Sequence, residues 1–313
     1  MNQQIGVLMQ FDVPILFVLF NRPDLARQVL HQIRQVQPRE LFVSIDGPRP
    51  NHPTDAERVA ECQALLDEID WPCSVHRLVQ HQNLGCKKAV STAITWFFQQ
   101  VEMGIILEDD CLPDPSFFTF CRENLHYHRH NATLMHIAGV NFQRGQWHGD
   151  GSYFYTKICH VWGWASWRRA WEKYDVAMNS YPVFREQNRI ADLFTDPKVQ
   201  QYWIEAFDSV LAGHVNSWAY PWVYTIWINN GLCICPNRNL VTNIGFGGEA
   251  THTRDNRESL ANLPLQPLDE INHPAFIIEN VLATEYSSNH YFKKPGWVTI
   301  KTESLKRRLG LKN

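Results

Sequence analysis

The chain has 313 residues, 44% of them hydrophobic, and a formal net charge of −3. That length supports a large core, in one domain or two packed lobes. Both charge signs are spread along the sequence, which leaves no broad cationic face of the kind that nucleic-acid binding requires.

From the N-terminus, no basic stretch leads into a long apolar run and a cleavage site. The apolar residues 13–20 are too few to span a bilayer. A cytoplasmic location is the expectation. The eight cysteines, none in a CxxC pair, are then reduced and mostly small hydrophobes. Residues 15–20 (ILFVLF) fit a strand buried on both faces, as in a parallel sheet. Pro23 opens a helix that runs through Val36, with Asn21 or Arg22 at its start. Residues 41–45 read as a second strand ended by Asp46-Gly47-Pro48, 55–69 as a helix and 74–79 as a third strand. A helix over 84–98 and a fourth strand over 104–107 follow. This alternation predicts an α/β fold with a mostly parallel central sheet flanked by helices. Further on, helices are expected over 117–130, 200–211 and 219–229, and a strand over 134–140. Residues 151–171 are rich in glycine and aromatics. A looser region begins at Pro264. The basic tail 301–313 is either solvated or in weak contact with an anionic membrane.

No GxGxxG follows the first strand, and no GxxxxGK[ST] loop occurs, so a standard NAD or ATP fold is not expected. The strand ends instead carry Asn21-Arg22, Asp46 and Glu108-Asp109-Asp110. Ligands of open parallel sheets bind beyond the carboxyl ends of the strands, so these clusters are expected to share one crevice.

The acidic run is the sharpest feature. Three consecutive carboxylates after a buried strand raise one another's pKa unless a cation compensates. Mg²⁺ or Mn²⁺ suits their hard oxygens, and a diphosphate completes the coordination shell. Strand alternation sets Glu108 and Asp110 on one face and Asp109 on the other. Asp110 is the favoured metal ligand. Asp109 is placed near the donor ribose or sugar, and Glu108 orients its neighbours. Pro113 and Asp114 read as a helix start, which gives Asp114 a structural role. Asp46 either binds a base or ribose or forms a turn. Arg22 either contacts the base or anchors a loop. Lys87 and Lys88, near a helix start, are candidates for the diphosphate side, and His81 for a base contact. His252, after the glycine-rich 245–248, is a candidate metal or phosphate ligand on a loop that closes over donor.

Together these segments resemble glycosyltransferases of the GT-A fold, particularly the branch containing N-acetylglucosaminyltransferase I and related bacterial sugar transferases. The resemblance covers about residues 14–253. It is carried by Pro14-Ile15-Leu16-Phe17-Val18 with Asn21-Arg22, by Val43-Ser44-Ile45-Asp46-Gly47 and by Ile106-Leu107-Glu108-Asp109-Asp110. Trp162-Gly163-Trp164 with Trp167, Trp171 and Tyr174 extends it, as does the ordered pattern from Trp218 to His252. The resemblance implies a UDP-sugar donor, Mn²⁺ held by Asp110, a base-binding arginine at Arg22, a nucleoside-binding aspartate at Asp46 and a uracil contact at His81. It also implies an acceptor side including Trp164, Trp218 and Trp222.

One position departs from the pattern: an aspartate is expected after the tryptophan, and this chain has Trp218-Ala219. An inverting transfer needs a carboxylate base. Asp208 is the substitute chosen, with Glu205 and Glu249 as alternatives. The expected organisation is a nucleotide-sugar half over 1–125, an acceptor half over 126–255 and an extension over 256–313. The expected reaction moves a sugar to a hydroxyl on a glycan or lipid-linked acceptor, with inversion. A catalytically silent sugar-nucleotide or glycan binder and a nucleotidyltransferase are the alternatives.

Overall fold

The computed structural model describes residues 10–246, 260 and 262–293. Its central sheet has eight strands in the order β3-β2-β1-β4-β8-β6-β9-β7. These are β1 (Ile15–Leu19), β2 (Glu40–Ile45), β3 (Ser74–Val79), β4 (Met103–Glu108), β6 (Leu134–Ala138), β7 (Tyr153–Thr156), β8 (Trp164–Trp167) and β9 (Leu232–Pro236). β8 opposes β4 and β6, and β7 opposes β9, while every other pair is parallel. The expected α/β class with a mostly parallel sheet is what the chain forms. A small second sheet pairs β5 (Cys111–Pro113) with β10 (Val241–Asn243).

The apolar runs divide between two cores by strand alternation. Ile15, Phe17 and Leu19 of β1 face one core, together with Leu41, Val43, Ile45, Ile105 and Leu107. That face is covered by α1 (Pro23–Val36), α2 (Asp55–Ala64) and α4 (Pro115–Tyr127). Leu16, Val18, Phe42 and Ile106 face the other core. There they meet α3 (Cys86–Gln100) and an aromatic helical layer of α5 (Arg168–Trp171), α6 (Tyr181–Glu186), α7 (Pro197–Leu211) and α8 (Ala219–Ile228).

Local signals set several boundaries. Pro23 is the first residue of α1, and Asp114 caps α4 by accepting from the Ser116 amide at 2.9 Å. The expected helix over 55–69 tightens to a 3₁₀ turn at Leu65–Glu68. The helix expected from Leu84 starts at Cys86, because the Leu84 amide donates to Asp46 and Gly85 adopts φ +76°. Several elements of the second half carry no local signal that assigned them, among them β7 and β8 within the aromatic stretch 151–171, β9, whose Cys233 and Cys235 are buried, and α9 (Val281–Tyr291), inside the region read as loose. Among the described residues no helix is long and apolar enough to cross a membrane.

Candidate active site

Strand order reverses at β1. The chain runs outward from β1 through β2 to β3, then returns to β1's other side as β4. A crevice at the carboxyl ends of strands is expected at such a switch point. Val18 lies opposite Glu108 in the parallel register, so the residues just beyond each strand emerge side by side.

Arg22 fills that position. Its Nη1 donates to Asp110 Oδ2 at 3.0 Å, and its Nη2 pairs with Asp109. Although Arg22 stands at the N-cap of α1, its side chain makes no cap bond. The strand alternation expected to separate Asp109 from Asp110 fails, because β4 ends at Glu108 and the chain turns at the two aspartates. Both then reach one guanidinium. Burial works against the Arg22 charge, but Asp109 and Asp110 outweigh it and hold the group firmly protonated. Arg22 thus supplies the compensating cation that the acidic run requires.

The compensation is incomplete. Asp109 is buried, and burial pushes its carboxyl up to about 6, with Arg22 opposing and Asp110 adding to the rise. Glu108 is pushed up to about 8 by burial and then by Asp110 and Asp109. A second cation at the turn would relieve this excess negative charge.

The turn is held from behind. Asn243 pairs with Cys111 across the small sheet, and the Ile244 amide donates to the Asp110 carbonyl at 2.9 Å. Gly245 packs so closely that a side chain there would collide with Asp110 and come within 2.8 Å of Arg22 Nη1. In the sequence this segment reads only as a glycine-rich loop; its place over the acidic turn comes from the β5–β10 pairing. Glu249 and His252 lie outside the described residues.

The neighbouring strand ends complete one rim. Asp46 accepts from the Gly47 and Leu84 amides, each at 2.9 Å, and from Asn83 Nδ2 at 2.8 Å. It therefore clamps the loop after β2 to the loop after β3. A Cβ on Gly47 would meet the Gln82 backbone, so only glycine permits this approach. Beside it, buried Asp55 binds Arg49 through both oxygens and accepts from Asn21 at 2.8 Å. Arg49 and Asn21 hold the Asp55 carboxyl well below the usual range.

The start of α3 faces the acidic turn. Burial, with the Glu108 and Asp110 charges, pushes the Cys86 thiol up to about 12. Cys86 is therefore a neutral side chain and no nucleophile. Asn216 Oδ1 accepts from the Lys87 amide at 3.2 Å, tying the segment before α8 to this helix start. The sequence holds no local signal for that contact, whose partners are 129 residues apart. Lys87 is half-buried, while Lys88 and His81 are exposed.

Two sets of expected residues serve other purposes. Trp164, Trp218 and Trp222 are buried. Trp164 stacks on Trp218 at 5.5 Å and on His136 at 5.0 Å, and Trp222 donates to His136. Their faces meet other rings, so they form core and do not wall an acceptor. Asp208 binds Tyr181 at 3.0 Å and Arg185 at 3.1 Å. It fastens α7 to α6 through this ion pair.

Hard carboxylate oxygens at the turn suit Mg²⁺ or Mn²⁺. Among the described residues no three His, Cys, Asp or Glu side chains are arranged to hold a metal by themselves. That donor set fits an ion held by one or two carboxylates with the rest of its shell from phosphate and water, the usual habit of Mg²⁺.

No protein-family model and no curated protein matches the chain. Among solved structures, the chain is similar to the mannosyltransferase PcManGT from Pyrobaculum calidifontis in complex with GDP-Man and Mn²⁺. The identity is 15%, with 70% of this chain and 75% of that one covered at a TM-score of 0.38. It is also similar to HddC from Yersinia pseudotuberculosis, with 10% identity, coverage of 52% and 80%, and a TM-score of 0.33. A third is a protein from Bacillus anthracis named as a glucose-1-phosphate thymidylyltransferase, in complex with a sucrose. There the identity is 8%, the coverage 54% and 76%, and the TM-score 0.31. Likenesses this distant decide nothing about the chemistry of this chain.

Proposed function

We propose that this chain is a metal-dependent glycosyltransferase that moves a sugar from a nucleoside-diphosphate sugar, a UDP-sugar, to a hydroxyl of a glycan or lipid-linked acceptor, with inversion. The supporting observation is the under-compensated carboxylate turn Glu108-Asp109-Asp110 at the strand-order reversal, facing Arg22 and the start of α3. A bound cation with a diphosphate is the ligand class that relieves such a site.

In this reading Asp110 holds Mn²⁺ or Mg²⁺, with His252 as a further ligand. The ion supplies charge neutralisation at the departing diphosphate. Arg22, which bridges the two aspartates, would be the residue to meet the nucleotide if those carboxylates held the ion. Asp109 lies toward the donor ribose or sugar. Asp46 orients the loop beside the base, and His81 is the base contact from the neighbouring loop. The first turn of α3 with Lys87 and Lys88 attracts the phosphates through the positive end of the helix and its side-chain charge. Residues 1–125 form the donor half, 126–255 the acceptor half and 256–313 an extension. The base that removes the acceptor proton is Glu249, since Ala219 lacks a carboxylate and Asp208 is engaged by Arg185.

The deciding experiment measures binding and hydrolysis of a panel of nucleotide sugars with and without Mn²⁺, in the wild type and in Asp110→Ala. Metal-dependent hydrolysis lost in the variant supports the assignment, and a wild-type metal response in the variant removes Asp110 from it. Pyrophosphate release from a nucleoside triphosphate would instead indicate a nucleotidyltransferase, and binding without turnover a silent binder.

A further inference from the structure

The segment leading into α9 has its polarity reversed. Phe276, Ile278 and Leu282 are 74%, 68% and 72% exposed, and Ile277 and Val281 are exposed beside them. The two polar residues among them turn inward. Glu279 pairs with Lys157 Nζ at 3.3 Å and accepts from Thr284 at 2.8 Å. Asn280 caps α9 by accepting from the Ala283 amide at 3.0 Å, and its own amide donates to the Tyr155 carbonyl at 2.7 Å. The buried positions of α9 are Ala283, Thr284, Ser287 and Ser288. Small and polar side chains thus face the protein while large apolar ones face outward, the opposite of what water favours. The Tyr155–Glu279 bridge fixes this segment along β7, the terminal strand of the sheet. The apolar side chains are held in place by backbone and polar contacts, and a cluster of this kind marks an interaction site.

Charge identifies the partner. Residues 293–313 contain seven Lys or Arg and one Glu, in a chain whose formal net charge is −3. The first of them, Lys293, follows the end of α9, a helix about 16 Å long at 1.5 Å per residue, and pairs with Asp196. We propose that Phe276, Ile278, Val281 and Leu282 insert into an anionic lipid surface, with the following basic stretch adding electrostatic attraction. Apolar insertion and clustered cations are the two signals that together give stable peripheral membrane binding. A second copy docked through the same patch would bring two cationic stretches together, which repulsion opposes. This inference requires no donor chemistry, and its test uses no nucleotide.

The full chain is sedimented with vesicles of phosphatidylcholine, with and without phosphatidylglycerol. Binding to the anionic vesicles is expected, weakened roughly tenfold or more in Phe276→Ser/Ile278→Ser/Leu282→Ser. Lys306→Ser/Arg307→Ser/Arg308→Ser is expected to lose the preference for anionic lipid. In Phe276→Trp, quenching of the added tryptophan by bromine-labelled lipid is expected above the wild-type background. Failure of the wild type to bind, or wild-type binding by the serine triple variant, would overturn the proposal. So would a vesicle-free dimer that dissociates in that variant, which would assign the patch to a second copy.

Discussion

Asp110 Oδ2 lies 3.0 Å from Arg22 Nη1, and Asp109 pairs with the other terminal nitrogen of the same guanidinium. One side chain from the end of β1 therefore spans both carboxylates beyond the end of β4. Arg22 occupies oxygens that a divalent cation would also seek, so the two are competitors.

The competition is testable through Arg22→Gln. Removing the guanidinium leaves both aspartates uncompensated. A fully buried pair broken this way costs about 3–5 kcal/mol, and the partial exposure of Arg22 lowers the expectation to roughly 1–3 kcal/mol. The variant should melt earlier without metal and gain more stability from Mn²⁺ than the wild type gains. Calorimetry with and without Mn²⁺ checks both. An equal gain in the two proteins would separate the metal from these carboxylates.

Stability should fall with rising pH across a defined window. Glu108 and Asp109 have folded values of about 8 and about 6, above their ordinary 4.5 and 3.8. The folded state therefore binds more protons than the unfolded state from about pH 4 to 8. The penalty is absent below that range and complete above it. Asp55 acts oppositely, since its lowered value stabilises the fold above pH 3.8 and is lost as pH falls below that. Urea unfolding at several pH values should show the decline, flattened in Glu108→Gln. A slope unaltered by that substitution would place the titrating group elsewhere.

Asp46→Ala leaves the Leu84 amide and Asn83 without their shared acceptor. The expected loss is about 1–3 kcal/mol, together with weaker nucleotide binding as the two loops separate. Thermal melts and a binding titration measure the two effects. Unchanged binding despite lowered stability would confine Asp46 to a scaffold role.

Position 219 offers a direct gain-of-function test. Ala219 is the first residue of α8, three positions beyond Asn216, which caps the start of α3. A first-turn aspartate suits the helix dipole. In Glu249→Gln, which lacks the proposed base, adding Ala219→Asp should restore transfer, with general-base catalysis typically worth about 10²–10⁴-fold. Asp208→Asn should leave kcat intact and cost no more than about 1 kcal/mol through its half-exposed contacts. A collapse of kcat in Asp208→Asn would restore Asp208 as the base.

The sequence alone was enough for the parts of this protein that local periodicity encodes. The unbroken apolar runs at β1 and β4, Pro23, the Asp114-Pro115 start and the glycine at 47 specify elements and boundaries through steric and burial rules that act within a few residues. The acidic run was legible for the same reason, because its electrostatic strain arises among adjacent side chains. Tertiary structure decided which group answers that strain: Arg22 lies 88 positions from Asp110 and becomes its neighbour only because β4 inserts beside β1. It likewise decided that Trp164, Trp218 and Trp222 are core and that Phe276 and Leu282 are not. An aromatic or aliphatic side chain has the same local signature in either place, and only the packing of distant elements determines which ones keep their contact with solvent.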